Sequence, residues 1–526
     1  MARHRQSIVT FIPGTIVVIV ITTIVFSALT ALWLFAFQNS DESFYFDRYL
    51  WRVLSFTFIQ ATLSTIISVG CAVLLAKSLY QNRFLGKTAF IRILSITFVL
   101  PSLVVVMGIL SVYGNQGWLA RLCDGLGFNY TGSIYGLNGI LIAHVFLNFP
   151  FATRYCYQSL QLIPNEQKQL AEQLGLSYWQ TFRHLELPLL LKQLLPLGGL
   201  IFMLCFSSFA TVLALSGGPK YTTIEVAIYQ AIRDFELYQA VILSGIQLLF
   251  CLGFMIVLKR LEPKQSPKQM SNIQPYIVKS TRLQQWLSYS CIISSMLFVF
   301  MPLLALVIDG ISLFSPQFMT ASLVQALLTS VSIAISSASL AMIMAMGLLW
   351  TNSRLQLIGN LKASEGLMLL GSLILAIPSM VLSAGLFILF FRFTDIPGFI
   401  FILVVISNSL LALPFILKQL ALPLSELTKQ YYFLSQSLNV QGLNYFYRIE
   451  FLGLKRLFLY CFALACIMSM GDFGIVALFG GQDFMTLPLY LYELIAHYRY
   501  DEASFVAMLL LVISFLFMTF FEYKKP

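Results

Sequence analysis

Few residues in this 526-residue sequence have the types and spacing that chemistry requires. Gly86-Lys87-Thr88 has the form of the end of a phosphate-binding loop, but Gln81 occupies the position of the glycine required five residues earlier. None of the eight cysteines forms a CxxC pair, and no metal-binding pattern is present. The sequence therefore predicts no ATP site, no metal site and no cofactor bound by this chain.

Two ionisable side chains, His144 and Asp472, stand out because they fall inside long apolar segments. A lone histidine in such a segment is more often a hydrogen-bonded core residue than a metal ligand or proton carrier. Of the 22 acidic residues, Asp472 alone lies in the interior of such a segment, away from its ends. Because a carboxylate is costly in an apolar environment, we expect Asp472 to meet either a polar partner or a cation.

The composition excludes a soluble protein. Hydrophobic residues make up 59% of the chain and charged residues 10%, and the mean hydropathy is +0.84. The net charge of +10 would suggest a nucleic-acid partner in a soluble protein, but in a lipid bilayer the distribution of the charges matters more than their sum. We therefore expect a membrane protein with no nucleic-acid partner.

Apolar runs long enough to cross about 30 Å of hydrocarbon recur along the whole chain. The sequence predicts an all-α polytopic membrane protein with about 12 transmembrane helices. The predicted spans are 12–37, 55–79, 90–113, 134–157, 194–216, 238–258, 286–309, 324–350, 366–391, 398–420, 456–479 and 501–521.

Basic residues give the orientation, because Lys and Arg near the spans are held on the cytoplasmic side. With a cytoplasmic N-terminus, the inner segments hold 25 of the 32 basic residues. The most basic of them, Lys259 to Arg282, contains three prolines, Pro263 and Pro267 among them, and several Gln and Ser residues, which is typical of a flexible linker. Both termini are therefore predicted to be cytoplasmic.

The two halves of the chain are one unit repeated. At a shift of 264 residues, Pro150-Phe151 matches Pro414-Phe415, Glu186 matches Glu450, Phe209 matches Phe473 and Gly217 matches Gly481. Upstream, Pro101-Ser102 and Gly108 match Pro378-Ser379 and Gly385 at a shift of 277. A longer outer loop around Trp118 to Tyr130 in the first half accounts for the difference. Six spans per half make the repeats parallel, which places a pathway at their interface.

The long inner loop after the fourth span has the strongest pattern. A helix through Leu170 to Leu174 is expected to end at Gly175, and a second short helix over Tyr178 to Leu187 is expected to stop before Pro188. The second half repeats this loop, with Asn439 in place of the glycine. Such a loop is suited to docking on a soluble partner, although an ordinary connector is the alternative. The residues assigned to docking are Gln169, Ala171, Glu172, Gly175, Phe182, Arg183, Leu185, Pro188, Ser435, Asn439, Phe446, Arg448 and Ile449.

The first loop resembles the signature loop of the permease subunits of ABC importers, in which a glycine precedes a Leu-Pro proline by thirteen residues, as Gly175 precedes Pro188. Gln169, Leu170 and Leu185 depart from the signature, and the second loop departs further. The fused, duplicated form, with Ser-Phe-Ala-Thr-Val-Leu near 208 and Gly-Asp-Phe-Gly near 471, resembles the thiamine permeases of bacterial importers.

The resemblance implies a type-1 importer permease in the bacterial inner membrane that carries thiamine or a phosphorylated thiamine. It also implies that two copies of a cytoplasmic ABC ATPase, which bind ATP and Mg²⁺, each receive one loop, and that a periplasmic substrate-binding protein delivers the cargo. The expected division is 1–54, the first helix and outer loop; 55–258, the first permease domain; 259–285, the linker; 286–324, the seventh helix and outer loop; 325–521, the second permease domain; and 522–526, the tail.

Other functions remain open at this stage. Within the family, the alternative cargo is ferric iron. From another class, a twelve-helix secondary transporter also has parallel halves, but such proteins usually carry several ionisable groups within their spans. A third alternative is an integral membrane enzyme, but the sequence contains no nucleophile–base pair and no paired carboxylates that would support it.

A substrate path is predicted beside the repeated spans five and eleven, where the segment around Phe209 is expected to face the segment around Phe473 across the repeat axis. A cationic substrate would meet the Asp472 carboxylate and two aromatic faces there, whereas the alternative is that Asp472 only caps a broken helix. The path candidates are Ser207, Ser208, Phe209, Thr211, Ser469, Gly471, Asp472 and Phe473.

The orientation can be tested with single cysteines in a background without the native eight. An impermeant thiol reagent added to spheroplasts should label a cysteine in 118–130 and not one in 259–282, because the basic linker is held inside. The reverse labelling pattern would overturn the predicted topology.

Overall fold

The computed structural model describes residues 2–38, 47–130, 132–261, 281–393, 396, 398–440, 442–481 and 484–520. Most of the predicted linker and the predicted tail lie outside the described residues. The helices of the first half are α1 (Ala2–Gln38), α2 (Arg48–Gln81), α3 (Lys87–Ile96), α4 (Ser102–Tyr113), α5 (Trp118–Gly125), α6 (Leu137–Gln161), α7 (Asn165–Gln173), α8 (Tyr178–Thr181), α9 (Leu187–Phe206), α10 (Ala210–Leu215), α11 (Ile224–Arg233) and α12 (Leu237–Leu261).

The second half begins after the linker and follows the same order. Its helices are α13 (Arg282–Ser312), α14 (Ala321–Ile358), α15 (Leu361–Ser372), α16 (Ser379–Phe390), α17 (Phe399–Ser437), α18 (Gly442–Tyr445), α19 (Leu452–Gly471), α20 (Gly474–Phe479), α21 (Leu487–Ala496) and α22 (Tyr500–Phe520). One helix, α17, replaces the pair α6 and α7, because Pro164 interrupts the first half where Thr428 continues the second.

The predicted all-α membrane fold is confirmed, and every predicted span corresponds to a helical segment. Ten helices of the described residues are long and apolar enough to cross a membrane. The other two predicted spans are α6, which contains the polar residues His144 and Asn148, and the pair α15 and α16, which is broken at Pro378.

Four spans are broken near their middle, at equivalent places in the two halves. Pro101 and Pro378 interrupt spans three and nine, because proline lacks the N–H group and disfavours a helical residue before it. Spans five and eleven break between Phe206 and Ala210 and between Gly471 and Gly474. Broken helices expose backbone groups, which are tolerated at membrane depth only where the protein covers them or a path runs past them.

The first helix of each half packs on the other half. Helix α1 packs on α14 and α16, and α13 packs on α2 and α4. The contacts are close: a Cβ atom at Gly385 of α16 would lie 2.5 Å from the carbonyl oxygen of Ala28, and one at Gly108 of α4 would lie 2.9 Å from that of Pro302. This exchange joins the halves into one helical body.

One expectation about local structure is wrong. The second helix of the first loop does not stop before Pro188. Helix α8 continues through a π-helical turn, Phe182–Glu186, directly into α9. In that turn the N–H of Leu187 donates to the carbonyl of Phe182, five residues earlier, so the wider turn makes room for the proline ring.

Candidate functional site

The first inner loop reverses direction at Gly175, which has φ +68° as predicted for the end of a helix. The N–H of Gly175 donates to the carbonyl oxygen of Glu172, and the N–H of Leu176 donates to that of Ala171, both at 3.0 Å. This pair of bonds is the Schellman motif, which satisfies the free carbonyls at the end of α7. The turn is therefore built by the backbone and fixed by one left-handed residue.

The second loop repeats the turn bond for bond. Asn439 takes the left-handed conformation with φ +51°, as the sequence predicts. Its N–H donates to Gln436 at 3.2 Å, and the N–H of Val440 donates to Ser435 at 2.9 Å. Each loop then enters a π-helical turn, Phe182–Glu186 in the first and Phe446–Phe451 in the second. The two loops thus present the same backbone to a partner.

Each loop has a buried and an exposed face. Ala171 and Ser435 occupy equivalent buried positions, and Phe182, Leu185, Phe446 and Ile449 are half-buried. The predicted docking residues on the exposed side are Gln169, Gly175, Arg183, Pro188, Asn439 and Arg448, and Glu172 is half-buried. Large apolar side chains lie beside them: Leu170, Leu174 and Trp179 in the first loop and Phe433, Leu434 and Leu438 in the second. The sequence reasoning did not assign these apolar residues to docking.

A buried ion pair attaches the first loop to the end of a transmembrane helix. Lys77 of α2 donates to Glu186 of the π-helical turn at 2.9 Å, and both residues are buried. The Lys77 ammonium also lies 4.0 Å from the ring centroids of Tyr178 and Phe182. The buried Lys77 ammonium is stabilised only while the Glu186 carboxylate and the two aromatic rings stay in place.

The second half contains the equivalent pair. Arg354 of α14 donates to Glu450 at 2.7 Å, and Glu450 also accepts a hydrogen bond from Thr428 at 3.1 Å. The guanidinium lies 3.5 Å from the ring centroid of Trp350 and 5.3 Å from that of Tyr445. Both carboxylates are related by the shift of 264 and both cations by the shift of 277, so the ion pair is part of the repeat.

Lys168 of α7 adds a third charge beside the first pair. It is buried, donates to the Tyr80 hydroxyl and lies 3.8 Å from that ring centroid. Burial lowers the pKa of this ammonium to about 8, and Glu186 opposes the shift while Lys77 adds to it. Because the folded pKa lies below the ordinary value of 10.5, the penalty for the charged form is complete below about pH 8 and is relieved as the pH rises toward 10.5.

The predicted path residues meet where the two halves join. The rings of Phe209 and Phe473 are stacked, with centroids 5.5 Å apart and planes at 15°. Tyr229 of α11 packs against Phe209 at 5.1 Å, and Tyr492 of α21 packs against Phe473 at 4.9 Å. We call these four residues the aromatic stack. Both phenylalanines are buried, so the two rings pack between the halves.

The remaining path candidates lie around the stack. A Cβ atom at Gly471 would lie 3.1 Å from Pro101, so the broken end of α19 contacts the break of span three. Ser207 donates to Met203 of its own helix, and Ser208 is half-buried. Thr211 is buried, and Ser469 is hydrogen-bonded to Ser337 and Asn408. The hydroxyl groups of Ser207 and Ser469 are therefore already hydrogen-bonded within the protein.

Asp472 and His144 have polar partners. Asp472 accepts a hydrogen bond from the N–H of Ile475 at 3.4 Å, in the first turn of α20, and its side chain is half-buried. His144 is buried, and its Nδ1 lies 3.2 Å from the Ser64 hydroxyl, as expected of a hydrogen-bonded core histidine. Asp472 thus caps a broken helix beside the aromatic stack.

Sequence reasoning missed Lys77, Arg354, Tyr229, Tyr492 and Glu225. A search of the repeat for matched charges would have found the two cations at the shift of 277. The tyrosines lie on α11 and α21, two short helices that were not predicted, at a shift of 263. The predicted spans 194–216 and 238–258 place Glu225 in the outer loop between them, but its side chain is completely buried.

The ion pairs can be tested through stability. Lys77→Met leaves Glu186 buried without its counter-charge and should lower the free energy of unfolding by about 3–5 kcal/mol, whereas Lys77→Met with Glu186→Gln should cost much less. The measurement is thermal unfolding of the purified protein in lipid nanodiscs. Arg354→Met with and without Glu450→Gln is the matched set in the second half. Equal losses for the single and double variants would contradict a coupled pair.

Comparison with known proteins identifies the family of the chain. Residues 68–267 match the family model described as "Binding-protein-dependent transport system inner membrane component". The chain is 42% identical to the thiamine transport system permease protein ThiP of Escherichia coli, over 100% of this chain and 99% of that protein. It is 39% identical to ThiP of Haemophilus influenzae, over 97% and 96% of the two chains, and 34% identical to ThiP of Brucella abortus, over 96% and 94%.

Identity of this extent over the full length, together with the ten apolar helices, makes the protein a multi-pass component of the bacterial inner membrane. The chain belongs to the family of bacterial thiamine transport system permease proteins.

Proposed function

We propose that this chain forms the translocation path of an ATP-driven importer for thiamine or a phosphorylated thiamine. The observation that carries the proposal is the repeated loop, in which the same Schellman turn, π-helical turn and buried ion pair occur twice in one chain. Relatives that are named for thiamine transport and match over the full length support the cargo. They favour it over ferric iron and favour an importer over a secondary transporter.

Two copies of a cytoplasmic ABC ATPase dock on the two loops. Support comes from the large apolar side chains on the outer face of each loop, such as Leu174 and Trp179 in the first and Phe433 and Leu438 in the second. Apolar side chains beside charged ones fit a partner groove. ATP and Mg²⁺ bind to the ATPase, and this chain itself holds no cofactor. A periplasmic substrate-binding protein delivers the cargo to the outer face.

The aromatic stack is the gate of the path. Phe209 and Phe473 come from different halves, so a rotation of one half against the other separates their rings. Thiamine carries a fixed positive charge, and each separated ring face offers it about 0.5–2 kcal/mol of cation–π attraction. Asp472, beside Phe473, offsets the same charge. The closed stack and the open path are thus formed by the same side chains.

The ion pairs link docking to the gate. ATP binding to the partner moves the loop. The movement reaches α2 and α14 because separating Glu186 or Glu450 from its cation would leave a buried charge without a counter-charge. Helix α14 packs on α19, which ends beside the gate, and α2 packs on α9, which ends at Phe206. Each loop therefore pulls on the helix that carries one half of the aromatic stack.

Docking can be tested at Gly175. No atom lies within 4 Å of a Cβ placed there, so a substitution acts through backbone strain alone. Gly175→Val should reduce ATPase binding and thiamine uptake, because a β-branched residue at positive φ costs about 1–2 kcal/mol. The measurements are copurification of the ATPase and uptake of labelled thiamine.

Gly175→Asn is the matched control, since Asn439 takes the same conformation in the second loop. It should bind the ATPase and transport at close to the wild-type level. Normal ATPase binding and uptake in Gly175→Val would remove the docking role of this turn.

The charge of Asp472 can be separated from its capping role. Asp472→Asn keeps an oxygen that can accept from the Ile475 N–H but removes the charge. If the carboxylate offsets the thiamine charge, uptake should fall about tenfold, since a hydrogen bond or contact to a charged group contributes about 1.5–3 kcal/mol. ATPase copurification should stay normal. Unchanged uptake would show that Asp472 only caps α20.

A further inference from the structure

One more buried carboxyl group, besides those of Glu186 and Glu450, lies in the helical body. Glu225 of α11 is completely buried, and its Oε1 accepts a hydrogen bond from Nε2 of Gln247 on α12 at 2.8 Å. The other oxygen of each side chain, Oε2 of Glu225 and Oε1 of Gln247, is buried without a hydrogen-bond partner. Among the described residues, Glu225 forms no ion pair with Lys, Arg or His.

Two unsatisfied acceptors on one contacting pair are explained by a missing donor. An ionised carboxylate in this position would be buried without a counter-charge, and the Gln247 oxygen would stay unpaired. The N–H of Met380, in the first turn of α16, also faces the carboxyl group, but a single neutral donor does not offset a buried charge. One proton on Glu225 would supply the donor that both free oxygens lack.

We propose that Glu225 is protonated and forms a neutral, cyclic acid–amide pair with Gln247. The carboxyl O–H donates to Oε1 of Gln247, and the Gln247 amide donates to Oε1 of Glu225. All four polar atoms of the pair are then satisfied, and no charge remains buried.

The second half supports a neutral pair at this position. Helices α11 and α21 begin in the same way: the N–H of Ile224 donates to Thr57 at 3.0 Å, and the N–H of Leu487 donates to Ser330 at 2.7 Å. In this register Glu225 corresponds to Pro488 and Gln247 to Leu510, which are both buried. The second half thus fills the same place with uncharged groups.

The pair positions one member of the aromatic stack. Glu225 and Tyr229 are four residues apart on α11, so they lie on the same side of this short helix. By joining α11 to α12, the pair fixes the rotation of α11 and holds the Tyr229 ring against Phe209. Glu225 is therefore a positioning residue. Its effect on transport rests on the gate proposed above, whereas its protonation does not.

Infrared difference spectroscopy of the protein in nanodiscs tests the protonation directly. The spectrum of wild type minus Glu225→Gln should contain the C=O stretching band of a hydrogen-bonded carboxylic acid at neutral pH. The band should remain in Asp472→Asn, which controls for the other carboxyl group near the path. Carboxylate bands in place of the acid band would overturn the proposal, whatever the transport results.

Uptake of labelled thiamine tests the positioning role. Glu225→Gln can form a similar cyclic pair of two amides and should transport within about threefold of wild type. Glu225→Leu leaves the Gln247 amide unpaired and should lose at least about fivefold. Glu225→Leu with Gln247→Leu, an apolar pair like that of the second half, should recover part of the loss. If Glu225→Gln fails as badly as Glu225→Leu, the carboxylate charge is required and the neutral pair is wrong.

These results stay separate from the proposed cargo. If the wild-type protein fails to take up thiamine, the proposed cargo is wrong. The infrared spectrum of that same protein still shows whether the acid band is present. The protonation of Glu225 is decided in either case, and the stability of Glu225→Leu against the double variant then tests the pairing.

Discussion

A charge buried at the end of a transmembrane helix must be paired, and this constraint governs the inner face of the protein. Lys77 and Arg354 lie at the inner ends of α2 and α14, with side chains that are 11% and 12% exposed, so water solvates their charges little. Their counter-charges, Glu186 and Glu450, come from the π-helical turns of the loops. The loops are therefore joined to the spans by contacts that are expensive to break and that keep one geometry.

The spans join this contact to the interface between the two halves. The first loop continues without interruption into span five, because a π-helical turn replaces the break expected at Pro188. The second loop also enters its span through a π-helical turn, but span eleven is kinked at Leu454 just after that turn. Those spans carry Phe209 and Phe473 at their breaks, and the exchanged first helices keep the halves together. The two halves use different residues at equivalent positions. The ion pair contains lysine in one half and arginine in the other, the turn contains glycine or asparagine, and Glu225 corresponds to Pro488 beside the aromatic stack.

Local signals made much of this predictable. Long apolar runs gave the spans, the repeat placed Phe209 opposite Phe473, and Gly175 and Asn439 take the left-handed conformation that their types favour. The sequence misled where tertiary packing decides. Pro188 usually ends a helix, but the π-helical turn absorbs it, and Glu225 has the charge of a surface residue but lies in a buried helix too short to recognise by hydropathy. The ion pairs join residues about a hundred positions apart, and only the repeat could have revealed them.

The central claim is that the loops move the gate through the buried ion pairs. Distances between spin labels in the complex with the ATPase test it, with one pair of labels on the exposed loop residues Trp179 and Leu438 and another pair at Ser208 and Asp472. In the parent protein, ATP binding should change both distances together. In Lys77→Met/Glu186→Gln/Arg354→Met/Glu450→Gln, the loop distance should still change while the gate distance stays constant. An equal change of the gate distance in that variant would contradict the account.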